Sequence, residues 1–264
     1  MGDSRQRSVA RGMAAAASEL KADFVLLLGD NIYPEGVASA DDPLWQSAFV
    51  EPFSHPSLDL PFYPVLGNHD YAGNEQAQVG WAGDPRWRMP ARYHSFSREL
   101  SDGTAVAFVL IDTLPLTLGP ARKARKILGA DEQLAWLEAT LAGISADWIL
   151  AAGHHPLLSG GPHGSDALLA LQLAPLFERY GVDIYMAGHD HYQAWIPSGR
   201  GWVHLISGAG SNPVSVRWTP QTVAAHAGLG FTRLRIESHR VWIEFRSHRG
   251  EVLSRQLLER EPSQ

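Results

Sequence analysis

Short, unbroken apolar runs recur along this chain, and each gives way to a glycine or an acid and then to polar residues. "DFVLLLGDN" is the first; "PFYPVLGNHD" ends at Gly67, "AVAFVLIDT" at Asp112, "DWILAAGHHP" at Gly153, "GVDIYMAGHDH" at Gly188 and "WVHLISGAGSN" near Gly208. Runs of this kind, apolar at every position, are the form of strands buried on both faces. Between them the period lengthens. Val9, Met13, Ala16 and Leu20 fall at helical spacing over 5–20, and "DEQLAWLEATLAG" (131–143) and "DALLALQLAPLFERYG" (166–181) read as helices. After Phe231 the pattern changes again. "FTRLRIESHRVWIEFRSHRGEVLSRQL" alternates apolar and polar residues, which predicts antiparallel hairpins with turns near Ser238 and Gly250. The pattern therefore predicts an α/β fold with a mixed sheet that finishes in antiparallel strands. With no linker stretch and no internal repeat, residues 1–264 are expected to form one domain.

Composition narrows the classes of function. At 264 residues with 45% hydrophobic and 19% charged positions, the chain can build a large core and is not of disordered type. A net charge of -6 argues against nucleic acid or an anionic membrane as partner. The absence of cysteine excludes disulfides, thiolate metal sites and cysteine nucleophiles. The opening "MGDSRQRSVARGM" is not a signal peptide, and no apolar run approaches the roughly 18 residues of a membrane span. As written, the chain is expected to stay in the cytoplasm; a missing upstream segment would open the secreted or periplasmic alternatives. Nothing in it signals an oligomeric state.

Polar side chains gather where the apolar runs end: Asp30 with Tyr33, Asn68 with His69, His154, and His189 with His191. Open α/β sheets bind ligands beyond the carboxyl ends of their strands, so these loops can converge on one crevice. Carboxylate, amide and phenol oxygens with imidazoles, and no sulfur, suit iron, manganese or zinc, and a pair of ions needs about this many donors. His189 and His191 are two residues apart, which in an extended segment turns both imidazoles to one side.

"GDNIYPEGV", "GNHD", "GHHP" and "GHDH", in this order, resemble the motifs of the calcineurin-like metallophosphoesterases. The tyrosine in "GDNIY" narrows the resemblance to the purple acid phosphatases of the small, single-domain type, and "ISGAGSN" extends it along most of the chain. The resemblance implies a four-layer sandwich of mixed β-sheets flanked by helices. It implies a hydrolase of small phosphate monoesters using two metal ions, Fe(III) plus a divalent Fe, Zn or Mn, with a metal-bound hydroxide attacking phosphorus. Carried over position by position, Asp30 resembles the bridging carboxylate, and Tyr33 and His191 resemble ferric-ion ligands, the tyrosinate giving the purple colour. Asn68, His154 and His189 resemble the ligands of the divalent ion. His69 and His163 resemble outer-sphere histidines facing the phosphate and the leaving group, and Asp70 is expected to accept the other N–H of His69. His155 is expected to be a wall residue pointing away from the site. His55, His94, His204, His226, His239 and His248 carry no motif.

The chain departs from the family at its first motif, a Gly-Asp closing an opening strand. Here Asp3 follows Gly2 with no apolar residues ahead of it. Either a shortened loop holds Asp3 as a ferric-ion ligand, or the first strand lies upstream and is missing from this chain. The basic stretch "ARKARKILG" at 121–129 falls where the family has a loop over the site, and it reads either as a lure for anions or as a solvated loop. Two alternatives to the phosphatase stand: a Zn/Mn phosphodiesterase of the same superfamily, and a truncated, non-catalytic metal- or phosphate-binding protein.

Overall fold

A seven-stranded mixed sheet forms the centre of the molecule. It is seen in a computed structural model that describes residues 4–117 and 129–260. Its parallel members are β4 (Ala105–Leu110), β5 (Trp148–Ala152), β6 (Ile184–Ala187) and β8 (Val203–Ser207). The antiparallel members are β3 (His94–Glu99) on one side and β7 (Gln193–Pro197) with β9 (Ala224–His226) on the other.

Period-two alternation divides the core between the two faces of this sheet. Val109, Ile149, Ala151 and Tyr185 meet Leu137 and Leu141 of helix α2 (Ala130–Gly143) and Leu173 and Phe177 of helix α3 (Ala167–Tyr180). Asp166 caps α3 by accepting from Leu169 N at 2.8 Å, and Gly181 ends it in the left-handed conformation. Phe108, Leu110, Leu150 and Met186 face the other way, against Val241, Ile243 and Phe245. Those three belong to the antiparallel sheet β10 (Gly230–Ile236), β11 (Arg240–Ser247) and β12 (Val252–Glu259). Full burial of a Val, Leu, Ile, Met or Phe side chain among these contributes about 1.5–3 kcal/mol.

Beside that sheet lies a parallel pair, β1 (Val25–Leu28) and β2 (Phe62–Val65). Leu26 and Leu28 pack on the same inner cluster as Phe245. Val25 and Leu27 point outward to helix α1 (Ser4–Leu20), whose Ala10 and Ala14 meet Phe49, Leu58 and Phe62. The result is four layers, with helices α2 and α3 outside the large sheet and α1 outside the smaller ones. The expected α/β sandwich with antiparallel closing strands is what the chain adopts. β1 is unusual within it. All four of its apolar residues are only half-buried, and among the described residues no strand pairs with its second edge. Asp3 and most of the basic stretch at 121–129 lie outside the described residues.

Candidate metal centre

The C-terminal ends of β1 and β2 meet those of β5 and β6, and the contact between them is close. His154, after β5, donates its Nδ1 proton to the carbonyl of Leu28 at 2.8 Å. A Cβ at Gly29 would sit 2.4 Å from that imidazole, and Gly29 has φ +85, so a side chain here would both clash and strain the backbone. Gly67 plays the same part on the next loop, where a Cβ would sit 2.2 Å from Oδ1 of Asp30.

With its Nδ1 proton given to Leu28, His154 turns a bare Nε2 inward. That nitrogen lies 3.3 Å from Asp30 Oδ2, 3.2 Å from Asn68 Oδ1 and 3.1 Å from His189 Nδ1. Four lone-pair atoms thus face one another in a buried place, an arrangement that needs a cation among them. Burial, then the neighbouring His154 and His163, pull His189 down to about 3, so its lone pair is available. Burial opposes the charged form of Asp30, yet the hydrogen bond and charge of His154 hold its carboxyl far below the usual range. His154 is raised against burial by the same carboxylate. A proton on Nε2 would stand in for a metal ion there.

A second group shares the same carboxylate oxygen. Tyr33 donates its hydroxyl to Asp30 Oδ2 at 2.9 Å, and His191 Nε2 lies 3.2 Å from the Tyr33 oxygen. His191 is oriented by an Nδ1–H bond to the carbonyl of Asn212 at 2.9 Å, so its Nε2 is also bare toward the group. Burial, then the charge of Asp30, push the Tyr33 phenol well above its ordinary value, so a phenolate here requires a cation beside it. Both histidines have the backbone-carbonyl partner that orients metal-ligating imidazoles. The donor set fits two ions: Asn68, His154 and His189 for one, Tyr33 and His191 for the other, and Asp30 for both. Asp3, the remaining candidate, lies outside the described residues.

His69 and His163 sit on the rim. The His69 ring packs 4.4 Å from that of Tyr33, and the His163 ring 4.4 Å from that of His189. The expected partnership of His69 with Asp70 is not formed. His69 donates Nδ1–H to the carbonyl of Pro34 at 2.6 Å. Asp70 is fully buried and turned away, accepting from Asn31 N, Ile32 N, Gly67 N and Gln78 Nε2 at 2.9–3.3 Å. Its task is structural, because it ties the loop after β1 to the loop after β2. Burial pushes its carboxyl up, while donors at both oxygens favour the charged form.

Two more expectations are corrected. The segment from His189 to His191 is not extended: His189 has φ +61, and the chain turns there, so its ring joins His154 while the His191 ring joins Tyr33. Asp190, between them, is buried and accepts from the hydroxyl of Ser159 and from His163 N at 3.1 Å, which sets the loop that carries His163. His155 does not point away. Its ring lies 4.6 Å from that of His189, and one ring nitrogen from each of His154, His155 and His189 falls within 4.8 Å of the others.

Asp112, just after β4, is fully buried, accepts the Tyr71 hydroxyl and has Arg92 at 3.9 Å. Burial, against Tyr71 and Arg92, pushes its carboxyl up to about 7. The unfolded value is about 3.9, so between the two the native state holds a proton that the unfolded chain has lost. The contribution of Asp112 to stability must then fall as pH rises through that window, by up to about 1.4 kcal/mol per pH unit. Thermal melts of wild type and Asp112→Asn at about pH 4 and about pH 7 check this: relative to the variant, the wild type should lose stability between the two.

The sequence pattern of the calcineurin-like phosphoesterases matches residues 4–193. The chain belongs to that family. Within it, the protein is 35% identical over 217 residues to tartrate-resistant acid phosphatase type 5 of Sus scrofa, a match covering 78% of this chain and 64% of that protein. Purple acid phosphatase 7 of Arabidopsis thaliana is 33% identical, covering 97% and 82% respectively. Among solved structures, GAP50, described as the anchor in the inner membrane complex of Plasmodium, superposes with a TM-score of 0.87 at 25% identity, over 98% of this chain and 85% of that one. This calcineurin-like phosphoesterase is therefore purple-acid-phosphatase-like in sequence. Among the described residues, no helix is long and apolar enough to cross a membrane.

Proposed function

We propose that the protein hydrolyses small phosphate monoesters at a pair of metal ions that Asp30 would help to hold, with Asn68, His154 and His189 on one side and Tyr33 and His191 on the other. The observation that carries this reading is a single oxygen. Oδ2 of Asp30 is 3.3 Å from His154 Nε2 and 2.9 Å from the Tyr33 hydroxyl, and so belongs to both donor groups. When bound, the ions would supply Lewis acidity and neutralise charge on the phosphoryl oxygens. The chain's own residues do the rest. Pro34 fixes His69 so that Nε2 is the nitrogen left to exchange a proton with substrate. Asp190 and Ser159 hold the loop on which His163 stands against the divalent-ion side. The tyrosine favours an iron-containing pair over a zinc or manganese pair.

Tyr33→Phe tests that last point. The wild-type protein loaded with iron under oxidising conditions should show a visible absorption band, and the variant should lose it while melting at nearly the wild-type temperature. A colourless iron-loaded wild type would contradict the tyrosinate assignment.

A second reading is that this fold binds metal or phosphate without turning substrate over; a structure of the same fold is described as an anchor. Steady-state turnover of an aryl phosphate monoester and of a bis-aryl diester, with added iron, separates the readings. Preference for the monoester is expected. Preference for the diester would favour the phosphodiesterase alternative, and metal binding with no turnover of either would favour the anchor-like role.

A further inference from the structure

His155 belongs by position to a group of imidazoles compact enough to hold one ion, together with His154 and His189. The hydrogen bonds around Thr113 show why it cannot be one of the ligands. Thr113 is fully buried, and its Oγ1 accepts the backbone N–H of His154 at 3.2 Å and of His155 at 3.0 Å. The same oxygen lies 2.9 Å from His155 Nδ1. A hydroxyl offers two lone pairs and one proton. Both lone pairs are used by the two amides, so the proton must go to Nδ1, which therefore carries none of its own. The ring proton of a neutral imidazole is then on Nε2.

Neither nitrogen of this ring has a lone pair left for a metal. Nδ1 spends its lone pair on Thr113, and Nε2 carries the proton. Contact across the loop is close: a Cβ on Gly153 would sit 2.5 Å from Cγ2 of Thr113, so the glycine allows the threonine this position. The carbonyl of His155 is also held, accepting the Tyr185 hydroxyl at 2.8 Å. Backbone and ring are thus both fixed, with the ring packed against His154 and His189.

We propose that Thr113 locks His155 as the Nε2–H tautomer, which excludes it from the metal ligands and makes it a hydrogen-bond donor to an oxyanion bound beside His154 and His189. The donor role rests on the phosphate-ester reading of the site; the tautomer does not. Thr113 acts as the positioning residue, and His155 is the group that would touch phosphate.

Two-bond proton–nitrogen correlation spectra of the full chain, labelled with nitrogen-15 at histidine, test this directly. His155 is assigned by comparison with His155→Phe. In metal-free protein His155 should show a protonated Nε2 and an unprotonated Nδ1. On adding Zn2+, the signals of His154 and His189 should move while His155 keeps its Nε2 proton, and inorganic phosphate should then shift that proton. Thr113→Val should convert His155 to a mixture of tautomers. His155→Phe should keep the wild-type metal stoichiometry and bind inorganic phosphate roughly ten- to a hundredfold more weakly, the scale of a lost hydrogen bond to a charged group. A metal-free His155 with its proton on Nδ1, or one that loses the Nε2 proton to Zn2+, would overturn the proposal. So would unchanged phosphate affinity in His155→Phe. Should that variant fail to fold, His155→Gln supplies the assignment and the phosphate comparison, and the wild-type spectra with and without Zn2+ and phosphate then decide it. Failure of the hydrolase reading would show separately, as absent turnover with the tautomer intact.

Discussion

Replacing Asp30 with asparagine should abolish turnover and most metal retention while leaving the fold in place. Asp30 Oδ1 accepts the backbone N–H of His69 at 2.9 Å, and that part-buried donor keeps an oxygen facing it. The asparagine carbonyl will therefore take the Oδ1 place, which puts the NH2 group where Oδ2 now faces His154 and Tyr33. An amide nitrogen has no lone pair to offer a metal, so both donor groups lose a ligand and the site loses its negative charge. Turnover of an activated aryl phosphate is expected to fall by roughly a thousandfold or more, the upper scale for removing one electrostatic contact at a reacting centre. Elemental analysis should find well under two metal ions per chain. Two retained ions with near-normal turnover would remove Asp30 from the centre.

Asp70→Ala should give the largest loss of stability. The wild-type carboxylate accepts from two adjacent backbone amides on the β1 loop, from Gly67 N on the β2 loop and from Gln78 Nε2, all in a fully buried place. Each buried donor left without a partner costs about 1–3 kcal/mol, and breaking a buried charged network costs about 3–5 kcal/mol in all. For a domain of this size that corresponds to a melting temperature lower by roughly 10 °C. Activity should fall as well, because Asp30 and Asn68 stand on the two loops that Asp70 joins. Denaturant and thermal unfolding of the two proteins check the expectation; a loss under about 1 kcal/mol would mean that the loops hold each other without it.

The parts of this fold that could be read in advance are those buried on both faces. β5 and β6 are enclosed at every position, so "WILAA" and "IYMA" are apolar throughout and announce themselves as strands. β3 and β9 lie at the edges of the large sheet, and "HSFSRE" and "AAH" are half-wet or too short to stand out. The site divides along similar lines. Asp30, His154 and His189 follow glycines at strand ends, and close approach of the loops requires those glycines, so sequence position and function coincide. The hydrogen bonds that orient the side chains were not legible. Pro34 for His69, Thr113 for His155 and Asp190 for the His163 loop are partners brought together by tertiary packing, at separations of 35, 42 and 27 residues. The reading of His189 and His191 as neighbours on one side failed because it assumed an extended backbone, whereas His189 adopts a positive φ.

Anomalous scattering from crystals of the purified, iron-loaded protein, collected on both sides of the iron edge, is the most direct test of the metal centre. Two peaks are expected, one among Asp30, Asn68, His154 and His189 and the other among Asp30, Tyr33 and His191, with Asp30 between them. A single peak, or none at these residues, would contradict the bridged pair.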